Sequence, residues 1–169
     1  LITGTNYELN LKLPRSASAD VYSLIISDLT DAKSLLLNTY PTSGKVRTNK
    51  WSAIAFLARV YLYLGDWQKA EAAATSIIES GEYELADISE VFTSNSVETL
   101  LELVPVSTTI NTYEGFIFIP TTGATARPTF TIDTDLLNSF ELGDTRKTAW
   151  IKSKKVGSTT YNYPLKYKI

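Results

Sequence analysis

The 169-residue chain is 44% hydrophobic and 20% charged, the proportions of an ordinary soluble globular protein with enough length for one real core. Its formal net charge of -2 argues against bulk nucleic-acid binding, which rests on a strong basic excess. It has neither cysteine nor histidine, which excludes disulfides, thiolate chemistry, Ser-His-Asp triads and histidine-ligated metal sites.

Methionine is absent too, so Leu1 is read as an internal residue of a longer reading frame. The opening LITGTNYELN lacks a basic n-region followed by an apolar run, and YPLKYKI ends like a strand stopped in mid-element. The expectation is a processed or excised segment, with any anchor outside it. No apolar run reaches membrane-spanning length, and Arg59 interrupts the best candidate.

The first fourteen residues read as extended or irregular, with Leu9, Leu11 and Leu13 alternating with Asn10 and Lys12 until Pro14. A helix is expected from about Ala19 to Leu37. It carries Val21, Leu24, Ile25, Ala32, Leu35 and Leu36 near one face, with Ser18 or Asp20 as its cap. NTYPTSGK is a loop by its proline and glycine. The second helix, from about Asn49 to Leu64, is apolar on two sides. Trp51, Ile54, Ala58 and Tyr61 form one side, and Leu57, Val60 and Leu64 the other, as in a helix sandwiched between two more. Arg59 is expected at its buried edge in an ion pair. Gly65 suits the left-handed position after a helix, and Asp66 then caps a third helix from about Trp67 to Ser80, stopped by Gly81. Trp67, Ala70, Ala74 and Ile77 are its expected buried stripe.

After Gly81 the pattern changes. EYELADISEVF reads as loop, TLLELVPV and FIFIP as short strands, and the intervening STTINTYEG and the following TTGATARP as loops. A short helix is expected from about Asp133 to Phe140, followed by the turn ELGDTR, in which Asp144 and Arg146 form a charge pair. YNYPLKYKI is strand-like. The fold class is therefore mainly α, with tetratricopeptide-like helical hairpins over about 19–80 and an irregular region bearing short β-strands over 81–169.

Few motifs carry chemistry. DTDLLNSFELGD places Asp133, Asp135 and Asp144 at positions 1, 3 and 12 of a calcium loop. Positions 5 and 6 are Leu137 and Asn138, where an oxygen ligand and a glycine are needed, so no metal site is assigned. A helix cap by Asp133 or Thr134 explains the stretch better. From Thr145 onward there are seven basic residues and no acidic one, which suits a phosphate or a membrane but is more simply a solvated face. No spacing selects a carboxylate pair for glycoside hydrolysis, no Gly-rich phosphate loop is present, and no cofactor or enzyme activity is expected.

The hairpin FLARVYLYLGDWQKAEAAATSIIES has tetratricopeptide-like spacing at Leu57, Ala58, Tyr61, Gly65 and Ala70, though Ile54 and Glu82 stand where that pattern has Trp and Pro. Its neighbours widen the match. Ile25, Asp28, Leu29 and Ala32 precede it, with Arg47 through Ala70 forming the hairpin motif. Ile78, Ser80, Gly81, Tyr83 and Leu85 follow, then Phe92, Asn95 and Glu98, the turn Phe140, Gly143, Asp144 and Arg146, and finally Lys166 and Tyr167. In this order, over roughly Tyr22 to Tyr167, the chain resembles an internal segment of the SusD/RagB family. The resemblance implies a cell-surface lipoprotein of the outer membrane of Bacteroidetes-type bacteria. Such proteins bind oligosaccharide or polysaccharide for nutrient uptake and lie over a SusC-like, TonB-dependent transporter. They are binding proteins and not enzymes, about three times longer than this chain, so the single segment 1–169 would lack the lipid anchor. The alternative from the hairpin alone is a tetratricopeptide-like scaffold that binds a protein or peptide.

Sugars are held by rings that stack on their C–H faces, with polar groups fixing orientation. Aromatic residues in irregular segments are the candidates: Asn111, Tyr113, Glu114 and Phe116 in NTYEGF, and Trp150. The competing reading is that these rings pack under loops. Trp51, Tyr61, Tyr63 and Trp67, on helices, are expected to be packing.

Overall fold

In the computed structural model, which describes residues 1–94, 96–105, 112–120, 123 and 125–167, Gly65 has φ 74° and ends a helix as its position requires. The described elements are α1 (Tyr7–Asn10), α2 (Ser18–Leu35), α3 (Lys50–Leu64), α4 (Trp67–Ile78), α5 (Tyr113–Phe118), α6 (Thr134–Asn138), α7 (Thr145–Trp150), β1 (Ile151–Val156) and β2 (Thr159–Pro164). They belong to two units, Leu1–Tyr83 and Glu84–Ile169.

In the first unit α3 lies against both α2 and α4, as its two apolar sides demand. Ala53, Ile54 and Leu57 of α3 and Ala70 and Ile77 of α4 are buried. The reversal between α3 and α4 takes only Gly65 and Asp66, whose carboxylate accepts the Lys69 N–H at 3.2 Å and caps α4. Asn49 caps α3 through the Ser52 N–H at 3.0 Å.

Several local expectations fail here. Residues 7–10 form the short helix α1, capped by Asn6, so the alternation of Leu9, Leu11 and Leu13 is not a strand. The cap position of α2 is Ala17, and neither Ser18 nor Asp20 fills it, because the helix starts one residue before the expected Ala19. Leu35 of α2 is exposed. On α4 the inward stripe is Ala70 and Ile77. Trp67, 66% exposed, and Ala74 sit on the neighbouring face, lining an open apolar groove with Ala58 and Leu62 whose rim carries Arg59 and Glu71. Arg59 is thus exposed, and neither ion pair among the described residues involves it. Tyr63 is exposed as well, so of the four helical rings Trp51 and Tyr61 are half-buried and the other two face solvent.

The second unit is held by short elements. FIFIP is not a strand: its first three residues complete α5, because Thr112 Oγ1 accepts the Gly115 N–H at 3.0 Å and starts a helical turn. Residues 99–105 of TLLELVPV form no strand either, and Val106 lies outside the described residues. Asp133 caps α6 by accepting from Asp135 N–H at 2.8 Å. Gly143, at φ 87°, leads into Asp144, which caps a helix, α7, where only a turn was expected. β1 follows α7 directly and pairs antiparallel with β2, from Ile151 opposite Pro164 to Val156 opposite Thr159. Strand pairing thus begins at Ile151, ten residues before YNYPLKYKI.

Candidate functional site

Helix α5 is the element that presents expected site residues to solvent. Tyr113 and Phe116 are three positions apart and share one face of it. Their ring centroids are 6.5 Å apart with planes 29° from parallel, and the residues are 68% and 60% exposed. The opposite side of the helix is anchored. Gly115 is buried, and the half-buried Phe118 meets Phe130 edge-to-face at 5.5 Å. Two rings held on a fixed helix and open to water form an apolar, polarisable ledge. Such a ledge suits a flat ligand with C–H groups on one side and hydroxyls on the other. Glu114, exposed on the first turn of α5, is a hydrogen-bond acceptor about 100° round the helix from Tyr113.

Of the other expected site residues, Asn111 lies outside the described residues. Trp150 is half-buried and structural in its contacts. Its indole N–H donates to the Ile88 carbonyl at 3.0 Å, and its ring meets Phe92 edge-on at 5.2 Å. Phe92 packs in turn on Tyr167 at 5.5 Å, with Lys166 Nζ 5.1 Å from the Phe92 ring centre. The structure therefore brings Tyr113 and Phe116 together and gives Trp150 to packing. The irregular stretch expected around Trp150 is the end of α7.

Residues of the stretch 125–132, with Gly123, connect α5 to the β-hairpin. Phe130 receives Phe118 at one end, while Ile132 N–H donates to the Asn162 carbonyl at 2.8 Å. Lys154 Nζ of β1 donates to the Gly123 carbonyl at 2.9 Å, and the Arg127 guanidinium stands 5.9 Å from the Tyr161 ring centre. Arg127 and Tyr161 did not emerge from the sequence. Their signal was the alternation of lysine and tyrosine in the two strands, legible only once the register set Lys154 opposite Tyr161.

Charge at the nearby helix start is already neutralised. Arg146 grips Asp144 through Nε at 2.9 Å and Nη2 at 2.6 Å, the pair foreseen in the sequence. That grip, aided by the Arg146 backbone N–H, holds the Asp144 carboxyl below the usual carboxylate range.

Similarity to known proteins covers both sequence and fold. Residues 2–62 match the SusD-like family model described as starch-binding, associating with outer membrane. A SusD-like protein of Formosa agariphila is 35% identical over 72 residues, 43% of this chain and 14% of that protein. A SusD-like carbohydrate-binding protein of Bacteroides vulgatus superposes with a TM-score of 0.74 at 20% identity, over 94% of this chain and 35% of its own. A second SusD superfamily protein of Bacteroides vulgatus gives 0.69 at 23%, over 92% and 36%. The chain thus spans about a third of the solved relatives, and the matched stretch is a seventh of the curated one.

Proposed function

We propose that this chain, SusD-like in sequence over residues 2–62 and in fold over more than nine-tenths of its length, belongs to a glycan-binding component of an outer-membrane nutrient-uptake system. The observation that carries the reading is the exposed ring pair of Tyr113 and Phe116 on α5, which forms a stacking ledge. Capture is passive: a pyranose lays its C–H face on the rings, hydroxyls meet Glu114 and nearby main-chain groups, and no bond is broken. In the parent protein, a lipid anchor outside this segment holds the domain at the cell surface. A SusC-like, TonB-dependent transporter receives the glycan.

The rival reading, a tetratricopeptide-like scaffold for a protein or peptide, calls for stacked helical pairs. Beyond Tyr83 the described residues form short helices and a two-stranded hairpin, which favours the glycan-capture reading. A glycan panel tests it with the full-length protein. Binding of oligosaccharides that stay uncut supports capture. Release of reducing ends would make the protein an enzyme and overturn the proposal. The transporter partnership is checked by co-purification with a barrel of the TonB-dependent type from the native outer membrane.

A further inference from the structure

Helix α5 is too short to hold itself in place. It is six residues long, with Gly115 near its middle, where glycine is less favourable than any residue but proline. Isolated helices shorter than about twelve residues are marginal in water. Thr112 caps the first turn, but a cap fixes where a helix begins and not the direction in which it points. The orientation of the Tyr113 and Phe116 rings is therefore set by contacts that the rest of the helix makes.

Phe118 supplies such a contact. By helix geometry it stands about 140° round from Tyr113 and about 160° from Phe116, on the side away from the ring pair. Its ring meets that of Phe130 with planes 66° apart, edge to face. Phe130 is itself tied down on both sides. Two residues before it Pro128 is buried, and before that Arg127 stands over the Tyr161 ring of β2. Two residues after it the Ile132 N–H donates to the Asn162 carbonyl of the same strand. The Phe130 ring is thus a fixed stop, referred to the β-hairpin, against which the far side of α5 rests.

As a core residue Phe130 is poorly placed: it is 49% exposed and lies between the exposed Thr129 and Thr131. A ring left half in water contributes little burial to the stability of the whole unit. Its contact with Phe118 is better explained by what it does to α5. We propose that Phe130 is a positioning residue for glycan capture. Acting through Phe118, it keeps α5 turned so that Tyr113 and Phe116 are presented together, and the sugar meets rings that are already in place. The inference rests on the glycan-capture reading above and adds to it a residue that does not touch the ligand. The gain is pre-organisation, since a helix that must be ordered on binding subtracts the cost of that ordering from the affinity.

The test uses the full-length protein, titrated calorimetrically with maltoheptaose, laminarihexaose, xylohexaose and mannohexaose. Phe130→Ala should weaken binding of the tightest of these about tenfold. Without glycan, the amides of α5 should exchange about tenfold faster in that variant. Phe130→Tyr, which keeps the ring, should restore both properties to within about twofold. Leu142→Ala, which removes another exposed apolar side chain of the same unit, should change neither. If Phe130→Ala does not fold, Phe130→Leu keeps the bulk without the edge-to-face contact and should show both changes at about threefold. Weaker binding with α5 exchange unchanged would put Phe130 in contact with the glycan and overturn the inference, as would unchanged binding. Weaker binding that Phe130→Tyr does not restore, or that follows a matching fall in the urea midpoint, would make the residue merely structural and overturn it too. If the unsubstituted protein binds none of these oligosaccharides, the glycan-capture reading itself falls.

Discussion

Asn49 Nδ2 donates to the Tyr83 hydroxyl at 3.1 Å, joining the cap residue of α3 to the first residues beyond α4, 34 positions away. The same amide donates to the Asn38 carbonyl at 2.9 Å, and its oxygen accepts from the Ser52 N–H at 3.0 Å and the Ser52 hydroxyl at 3.1 Å. Both donors and both acceptor lobes are used, in a side chain only 1% exposed. Burial of so polar a group is tolerated because nothing on it is left unpaired.

Asn49→Ala removes a helix cap and strands several buried partners at once, so it should destabilise the protein by about 3 kcal/mol. Tyr83→Phe, which removes one hydroxyl, should cost about 1 kcal/mol. Urea unfolding of both single variants and the double variant checks this. Simple additivity would show that the amide and the phenol do not act as a unit.

The Tyr40 hydroxyl lies 2.7 Å from that of Tyr83. Burial, and then the hydrogen bond to Tyr83, push its pKa above the ordinary 10.0. The folded state therefore keeps a proton that the unfolded chain gives up. Stability from this group is complete below pH about 10 and declines as pH rises further, because the unfolded state then binds fewer protons. Tyr40→Phe should flatten the decline of unfolding free energy between pH 9 and 11. An unchanged slope would refute the assignment.

Tyr113→Ala and Phe116→Ala should each weaken glycan binding by about fivefold, and together by about 25-fold, at 0.5–1.5 kcal/mol per lost stacking contact. Because both residues are largely exposed, neither change should move the unfolding free energy by more than about 0.5 kcal/mol. Calorimetric titration with an oligosaccharide from the panel reads the first, and thermal unfolding the second.

Trp150→Phe should behave in the opposite way. Loss of the indole N–H leaves the Ile88 carbonyl without that donor and should lower stability by about 1 kcal/mol, with glycan affinity unchanged. A variant that binds glycan less well yet melts normally would return Trp150 to the binding site.

The well-read part of the sequence is the part governed by local rules. The Gly65–Asp66 reversal needs only a left-handed residue followed by a side-chain acceptor, and both requirements are visible in four letters. Asp144 with Arg146 is equally local. FIFIP was misread because a short apolar run has no period to separate strand from helix. The deciding signals were Thr112 as a cap and the helical spacing of Tyr113 and Phe116, which lay across the assumed boundary between loop and strand. Tyr113 and Phe116 are exposed because a helix displays them, not because a loop does. Trp67 was misplaced because a helix with alanines on adjoining faces offers two candidate stripes, and only α3 decides which one faces inward. The role of Asn49 depends on Asn38 and Tyr83, and no pattern within a helix-length window connects those residues.

The junction at Trp150 has no spacer: α7 ends there and β1 begins at Ile151. The Trp150 carbonyl accepts the Leu165 N–H at 2.7 Å, while its indole is fastened to Ile88. One residue thus closes the base of the hairpin through its main chain and anchors it through its side chain. The two strands are not a free flap, since swinging them away from Trp150 must break the main-chain bond at their base. In hydrogen exchange, the Leu165 amide and the Trp150 indole should open in a single step, with the hairpin moving as a rigid arm of α7.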